Sequence, residues 1–160
     1  MESKRKGLCA MESKVLVAID LSENSLKAAE YVGKMLSCQK EIHITLLHLI
    51  KEPSPDVMPD PGERQSHVQG GRDRALAVLE KVARQLIAHD IPEKNIHLRI
   101  QICRKQVSVS DLILSEQKKG EYGTIVLGRR GVSKREEFLF GSVSNSVMRE
   151  AKGCAVWIVE

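Results

Sequence analysis

The chain has 160 residues, of which 42% are hydrophobic and 29% charged, the ordinary composition of one globular domain with a sizeable core. No apolar run approaches the roughly 20 residues that span a bilayer, and the opening residues MESKRKGLCA lack the apolar stretch of a secretory signal. A cytoplasmic location without membrane association is therefore expected. Aromatic residues make up only 3% and the formal net charge is only +4, which disfavours a general nucleic-acid-binding protein.

Residues 1–13 are polar and charged, and the tetrapeptide MESK at their start recurs at 11–14. We predict a disordered leader there. Residues 15–19 (VLVAI) form a short continuous apolar run, typical of a strand buried on both faces. Ser22 is a good N-cap for the helix that follows, and residues 42–50 predict a second strand. The expected apolar face of that first helix comprises Leu26, Ala29, Val32 and Leu36.

A proline-rich loop at residues 53–61 leads through Gly70 and Gly71 into a second predicted helix. The expected apolar face of this helix comprises Leu76, Leu79, Val82, Ala83, Leu86 and Ile87. Residues 96–102 then alternate between apolar and polar side chains. This period of two predicts a half-exposed strand at the edge of a sheet.

A third predicted helix carries Val109, Leu112 and Ile113 on its apolar face and ends at Gly120. The remaining predicted elements are a buried strand at 124–127, a helix at 142–152 and a last strand at 154–159. Strands and helices thus alternate in the order βαβαβαβαβ. This order predicts a single α/β domain over residues 14–160, with a five-stranded parallel sheet and helices on both faces.

Cysteines and histidines show no spacing that indicates a metal site. Cys9, Cys38, Cys103 and Cys154 lie far apart without a CxxC pair, which excludes a zinc ribbon. We expect all of them except Cys9 to be small buried hydrophobic residues without disulfides. The histidines other than His48 are dispersed along the chain and are expected to be solvated; these are His43, His67, His89 and His97.

Glycines dominate the segment after the strand at 124–127. Gly128 and Gly131 allow a close approach of the backbone to a ligand, and Gly141 precedes Ser142 at the start of a helix. In open α/β sheets ligands bind at the carboxyl ends of the strands, and a helix N-terminus attracts phosphate. The alternative is a tight turn followed by an N-cap at Ser142. Neither a P-loop nor a GxGxxG sequence is present, which excludes those two nucleotide-binding motifs.

The sequence resembles the ATP-binding universal stress proteins over residues 14–160. The resemblance depends on Ala18 to Ser22 with Ser25, on Leu46 to Leu49, and on the segment from Gly128 through Ser142 to Ser144. It implies a Rossmann-like fold of the adenine nucleotide alpha hydrolase type and a homodimer. Arg104-Lys105 departs from the family pattern, which commonly has glycine there, and Gly123 replaces the usual acidic residue.

The resemblance also implies a nucleotide site. In the family the aspartate after the first strand lies near adenine and ribose, the main chain ending the second strand meets adenine, and the glycine-serine motif holds ribose and phosphates. ATP, with or without Mg²⁺, is the expected ligand. The site residues so implied are Asp20, Leu49, Leu127, Gly128, Gly131, Gly141, Ser142, Val143 and Ser144, and we add Arg130 from the basic loop beside them.

Several of these side chains have a second interpretation. Asp20 is able to cap the turn into the first helix instead of contacting a ligand, and His48 is expected to be a core or subunit-contact histidine. Asp111 and Glu116 are expected on the polar face of a helix. The basic side chains of the loop are either a solvated face or a balance for nucleotide charge; these are Arg129, Arg130, Lys134 and Arg135.

The last strand, Ala155–Val159, is apolar on both sides. It is either a central strand or an edge strand whose open hydrogen bonds pair with another chain. The resemblance favours the edge, paired antiparallel with its copy in a homodimer.

Three functions remain open at this point. The first is an ATP-binding sensor or regulator of the stress response, which the glycine segment favours. The others are a weak ATPase or autophosphorylating protein, and a nucleotide-free dimeric scaffold. No catalytic residue set is predicted, because no Walker lysine and no pair of nucleophile and base is present in the sequence.

Overall fold

The computed structural model describes residues 13–103, 107–129 and 142–160. The strands are β1 (Lys14–Ala18), β2 (His43–Lys51), β3 (Ile96–Cys103), β4 (Thr124–Gly128) and β5 (Ala155–Val159). The helices are α1 (Glu23–Leu36), α2 (Pro61–Ala88), α3 (Val109–Gly120) and α4 (Ser142–Glu150), with a 3₁₀ turn at Glu93–Asn95. The strands form one parallel sheet in the order β3-β2-β1-β4-β5, as the predicted α/β fold requires.

Both faces of the sheet are covered by helices, which confirms the predicted layers. Val15 and Val17 of β1 point into a core shared with α1 and α2. Leu16, on the opposite face, packs with Ile113 of α3 and Val147 of α4. Because helices cover both faces of the sheet at the central strand β1, its side chains are buried in both directions, which explains the continuous apolar run at 15–19.

The second helix begins earlier than its glycines indicated, and the prediction of its start was wrong. The Asp60 side chain accepts a hydrogen bond from Glu63 N, and Pro61 occupies the first turn. Gly70 and Gly71 therefore lie inside a helix of 28 residues. A capped N-terminus and a long packed face outweigh the cost of about 1 kcal/mol that each interior glycine brings.

The packed face of α2 also differs from the expectation at two positions. Leu79, Val82 and Leu86 are buried as predicted, whereas Leu76 is 41% exposed and Ile87 is 40% exposed. Ala75 is fully buried in their place. The contact stripe is therefore narrower than the sequence indicated, and it touches the sheet along one side of the helix only.

The end of α3 is set by Glu121 rather than by Gly120. Gly120 is the last helical residue, and Glu121 adopts the left-handed conformation with φ 54°. The reason for a glycine at 120 is the neighbouring ring, since a Cβ there would stand 2.1 Å from Tyr122 Cε2. Glu116 on the same helix is only 3% exposed and pairs with Arg99, so its expected place on a polar helix face was wrong.

The two edges of the sheet are β3 and β5, and both edge positions were predicted. The alternation expected for β3 is incomplete, because His97, Leu98 and Arg99 are all exposed. Cys103 is buried and Cys154 half-buried, but Cys38 is exposed, contrary to the expectation. Within the described ranges no helix is long and apolar enough to cross a membrane. The predicted leader lies outside the described residues except for Ser13.

Candidate functional site

A cavity of about 400 Å³ opens at the carboxyl ends of β1, β2 and β4. It lies where the topology of an open parallel sheet places ligands, and its volume is within the range of small-molecule sites. Apolar side chains form most of the wall, and polar groups lie among them. The lining residues are Ala18, Ile19, Asp20, Ser25, Leu47, His48, Leu49, Lys51, Val109, Ile113, Leu127, Gly128, Val143 and Ser144.

Most of the described residues predicted for the site meet in this cavity. Those that line it are Asp20, Leu49, Leu127, Gly128, Val143 and Ser144. Ser142 begins α4 but is not among the lining residues. The predicted residues Arg130, Gly131 and Gly141 lie outside the described part of the chain, so their placement at the site stays a prediction.

The turn from β1 into α1 brings Asp20 to the cavity. Asp20 Oδ1 accepts hydrogen bonds from Ser22 N, at 3.1 Å, and from the Ser22 hydroxyl. Leu21 between them has a φ of 65°, a conformation that costs a branched residue free energy and is held by the turn. Asp20 thus closes the turn and also faces the cavity, so the two interpretations of this residue are compatible.

Ser22 and Ser25 complete the start of α1. Ser22 Oγ accepts a hydrogen bond from Ser25 N, which confirms the predicted N-cap. The Ser25 hydroxyl donates to Ser22 O at 2.9 Å, and this serine is only 2% exposed. The first turn of α1 is therefore rigidly formed where it meets the cavity.

Gly128 lies directly against that first turn of α1. A Cβ at position 128 would stand 2.5 Å from the carbonyl carbon and oxygen of Asn24. The close approach that requires glycine is therefore made by the protein's own backbone, whereas the sequence indicated an approach to a ligand. Asn24 Nδ2 donates a hydrogen bond to Arg129 O and holds the end of β4 in place.

The basic loop after β4 is described only at its first residue. The Arg129 guanidinium forms an ion pair with Glu160. This charge is directed to the end of β5, and Arg129 does not line the cavity. Arg130, Lys134 and Arg135 lie outside the described residues. Whether their charges form a solvated face or balance a nucleotide's charge therefore stays a matter of prediction.

Three helices present their first turns to the cavity. Ser25 is the third residue of α1, Val109 the first of α3, and Val143 and Ser144 the second and third of α4. Each helix N-terminus carries the positive end of the helix dipole. Their convergence makes the cavity favourable for a negatively charged ligand.

Residues 11–160 match the model of the universal stress protein family. The chain belongs to this family. Among curated proteins no sequence matches it significantly. Solved structures with the same fold include the universal stress protein UspA from Lactobacillus plantarum, which has 18% identity and a TM-score of 0.71. That alignment covers 92% of this chain and 97% of the other.

Two further structures are similar over nearly the whole domain. One is a universal stress protein in complex with cAMP, with 20% identity, a TM-score of 0.64, and coverage of 92% of this chain and 96% of the other. The second is a universal stress protein family protein from Arabidopsis thaliana with AMP bound. It has 22% identity and a TM-score of 0.61, and the alignment covers 92% of this chain and 90% of the other.

In this universal stress protein the cavity also includes two side chains of β2 that the sequence interpretation missed. His48 was expected in the core or at a subunit contact, but it lines the cavity, with Nδ1 2.6 Å from Ile19 O. Lys51 ends β2 and adds a positive charge to the rim. Its spacing of two residues from Leu49 places both on one face of the strand, a signal that could have identified Lys51.

Lys51 also lies beside a buried thiol. Lys51 pairs in register with Cys103 of β3. Burial raises the pKa of the Cys103 thiol, and the positive charge of Lys51 offsets only part of this increase. The thiol therefore stays protonated at neutral pH, where a protonated cysteine is a poor nucleophile.

Proposed function

We propose that this universal stress protein binds an adenine nucleotide, ATP with or without Mg²⁺, and acts as a regulator or sensor in the stress response. The observation that carries the proposal is the cavity at the carboxyl ends of β1, β2 and β4, with its apolar walls and three converging helix N-termini. Relatives of the same fold with AMP and cAMP support the same ligand class.

The end of β2 suits an adenine edge. Leu47 O accepts a hydrogen bond from Ile19 N, which shows that the backbone groups of Leu47 point to the β1 side of β2. Because the direction of these groups alternates along a strand, the N–H and C=O of Leu49 point to the β1 side as well. The last register pair with β1 is Ala18 with Leu47. The polar backbone groups of Leu49 therefore extend beyond β1 toward the cavity, where a purine offers a matching donor and acceptor.

The apolar walls suit the faces of the base. Val109 and Ile113 of α3 lie on one side of the cavity, and Leu127 and Val143 come from β4 and α4. A flat aromatic ring between such side chains removes apolar surface from water, at about 25 cal/mol for each Å² buried. We assign the adenine to this part of the cavity and the ribose to the side near Asp20.

The phosphates are assigned to the helix N-termini. Ser144 is 4% exposed and lies in the first turn of α4, next to Val143. Backbone N–H groups and a serine hydroxyl at such a position are donors for phosphate oxygens. We propose that Gly131, Gly141 and Ser142 complete this part of the site and that Arg130 balances the phosphate charge.

Binding without rapid hydrolysis is the activity that we propose. Asp20 and His48, which line the described cavity, each hold a structural hydrogen bond: Asp20 Oδ1 accepts from Ser22, and His48 Nδ1 is paired with Ile19 O. These bonds give both side chains a positioning role at the ends of β1 and β2, which supports binding rather than hydrolysis.

We further propose a homodimer through β5. This strand pairs with β4 on one side and ends the sheet on the other. Its second edge presents N–H and C=O groups that an antiparallel copy satisfies. Dimerisation places the cavities of two protomers in one assembly and offers a route by which nucleotide binding is reported to a partner protein.

Calorimetric titration with ATP, alone and with Mg²⁺, tests the nucleotide site. Binding is expected for the unmodified chain, and Val109→Trp is expected to raise the Kd at least about tenfold because the indole occupies the cavity. Val57→Trp is the matched control, since Val57 is 78% exposed and lies outside the cavity. No heat and no thermal shift at millimolar ATP would contradict the proposal, as would equal weakening by both variants.

A further inference from the structure

A second cavity, of about 480 Å³, lies at the opposite end of the sheet. Lys14 and His43 begin β1 and β2, whereas Ala18 and Lys51 end these strands at the first cavity. The four-residue spacing from Lys14 to Ala18 corresponds to about 13 Å along an extended strand. The lining residues are Lys14, His43, Thr45, His97, Leu98, Arg99, Gly120 and Tyr122.

The side chains around this second cavity are mainly basic. Lys14 and Arg99 carry fixed positive charges, and His43 and His97 lie beside them. The acid that faces this group is Glu116 of α3, which holds Arg99 Nε at 3.1 Å and is only 4% exposed at its side chain. Two fixed positive charges of the lining thus meet one negative charge, which is already paired with Arg99.

The two histidines form a direct contact across neighbouring strands. Thr45 is the register partner of His97, so His43 lies diagonally opposite His97 on the same face. The ring planes differ by 7°, the centroids are 5.7 Å apart, and His43 Nδ1 lies 3.4 Å from His97 Nε2. This contact uses one nitrogen of each ring and leaves His43 Nε2 and His97 Nδ1 for a further partner.

Hydroxyl groups at the bottom of the cavity are held in place. The Tyr122 hydroxyl donates to Thr45 Oγ1 at 3.0 Å, and both residues are buried. Gln117 Nε2 donates to Tyr122 O and fixes the backbone of the tyrosine. Lys14 Nζ donates to Gly120 O at 3.2 Å, which holds the ammonium at the rim with further N–H groups to donate.

We propose that this second cavity binds a compact dianion, in the form of a phosphate, a sulfate or a short dicarboxylate. Lysine and arginine donate charge-assisted hydrogen bonds to such oxyanions, and a concave basic surface concentrates anions from solution. The same positive charges repel a metal cation from the histidine pair. The ligand and the location both differ from those of the nucleotide site, so the two proposals stand independently.

Amide chemical shifts of the full chain, labelled with ¹⁵N, test the site during titration with sulfate at constant ionic strength. Sulfate is a dianion at neutral pH, so its charge is fixed during the titration. Saturable shifts are expected at Lys14, Thr45, His97 and Tyr122. Phosphate and succinate are titrated in parallel at pH 8. The lower of their two Kd values shows whether the site prefers a phosphate or a dicarboxylate.

Removal of the two imidazoles provides the decisive comparison. The double variant His43→Gln with His97→Gln is expected to raise the sulfate Kd at least about fivefold, because the imidazole N–H groups beside the two fixed charges are lost. His67→Gln is the control, since His67 is exposed on α2 and does not line the cavity. Equal sulfate binding in the double variant, non-saturable shifts, or Zn²⁺ binding without sulfate binding would overturn the proposal.

Discussion

Gly128 and Asn24 are in backbone contact: a Cβ on Gly128 would stand 2.5 Å from both the carbonyl carbon and the oxygen of Asn24. This contact joins the end of β4 to the first turn of α1, and both segments border the cavity at the carboxyl ends of the strands. Because backbone atoms on both sides are held by strand and helix hydrogen bonds, neither side is able to move far.

Gly128→Ala is therefore expected to destabilise the protein by about 1–3 kcal/mol, the usual cost of overpacking a close-packed contact. The free energy of unfolding in urea measures the loss. Gly71→Ala is the matched control, because the nearest atom to its Cβ is a side-chain carbon of Ile50 at 3.6 Å. In the middle of α2 this change is expected to stabilise by about 0.5–1 kcal/mol. A similar loss in both variants would refute the backbone contact.

The ion pair between Arg99 and Glu116 is expected to contribute to stability. Glu116 is buried, whereas Arg99 is half-exposed. Arg99→Gln leaves the Glu116 carboxylate buried without its guanidinium, and a loss of about 1–2 kcal/mol is expected after allowance for solvent at Arg99. Adding Glu116→Gln removes the unpaired charge, so the double variant is expected to recover part of the loss. Urea unfolding of the four proteins gives the coupling energy, and additive losses would show that the pair contributes nothing.

The proposed dimer is tested by proline substitutions in β5. Ala155 N donates to Gly123 O and Val159 O accepts from Arg129 N, so the odd-numbered residues of this strand face β4. The N–H of Ile158 points to the open edge, and Ile158→Pro removes it without breaking the ladder to β4. We expect the dimer to dissociate while the monomer stays folded, as measured by sedimentation and circular dichroism.

Trp157→Pro is the control for that substitution, because its N–H faces β4 and its loss disrupts the sheet. The Trp157 ring also packs edge-on against Tyr31 of α1, with centroids 6.1 Å apart. This variant is therefore expected to lower the melting temperature. A folded, fully dimeric Ile158→Pro protein would exclude β5 as the contact.

Lys51 is expected to attract the negatively charged phosphates of ATP electrostatically from the rim of the first cavity, without contacting them. Lys51→Met should raise the Kd for ATP about three- to tenfold and leave the Kd for adenosine unchanged, because only the phosphates carry charge for the ammonium to meet. Lys40→Met, an exposed lysine outside the cavity, controls for general charge loss. Equal effects on ATP and adenosine would assign Lys51 to packing around the base.

Thiol reactivity should follow burial. Burial raises the pKa of Cys103 and of Cys154, whereas Cys38 is exposed. In a Cys9→Ser background at pH 8, Cys38 is expected to react with a disulfide reagent at least about tenfold faster than the other two, because the thiolate is the reactive form. Mass spectrometry of the modified peptides measures the order, and faster labelling of Cys103 would contradict it.

The raised thiol pKa values of Cys103 and Cys154 also make the free energy of unfolding depend on pH. A thiol whose pKa is raised in the folded state stabilises the fold while it remains protonated, below its usual value of 9.0. This contribution is lost as the pH rises through the folded-state pKa. We therefore expect the unfolding free energy to decrease above about pH 9, and less so in Cys103→Ala.

Local patterns in the sequence determined the order of elements, the parallel sheet and the edge position of β3. The continuous apolar run at 15–19 reflects burial on two faces, and the capping serine Ser22 reflects hydrogen bonds within one turn. These features depend on neighbours within a few residues, so they are visible in the chain itself. The glycine segment and the family resemblance located one end of the sheet as the site, and Asp20, Leu49 and Ser144 meet there.

Contacts between distant residues were decided only by the tertiary structure. His43 and His97 are 54 residues apart and show no shared pattern, yet strand register brings their rings together. Glu116 has the spacing of a surface helix residue, yet it is buried and pairs with Arg99 of β3. Gly128 lines the cavity, and the close contact that requires glycine there is with the backbone of Asn24. Register and helix packing set such contacts, and neither leaves a periodic signal along the chain.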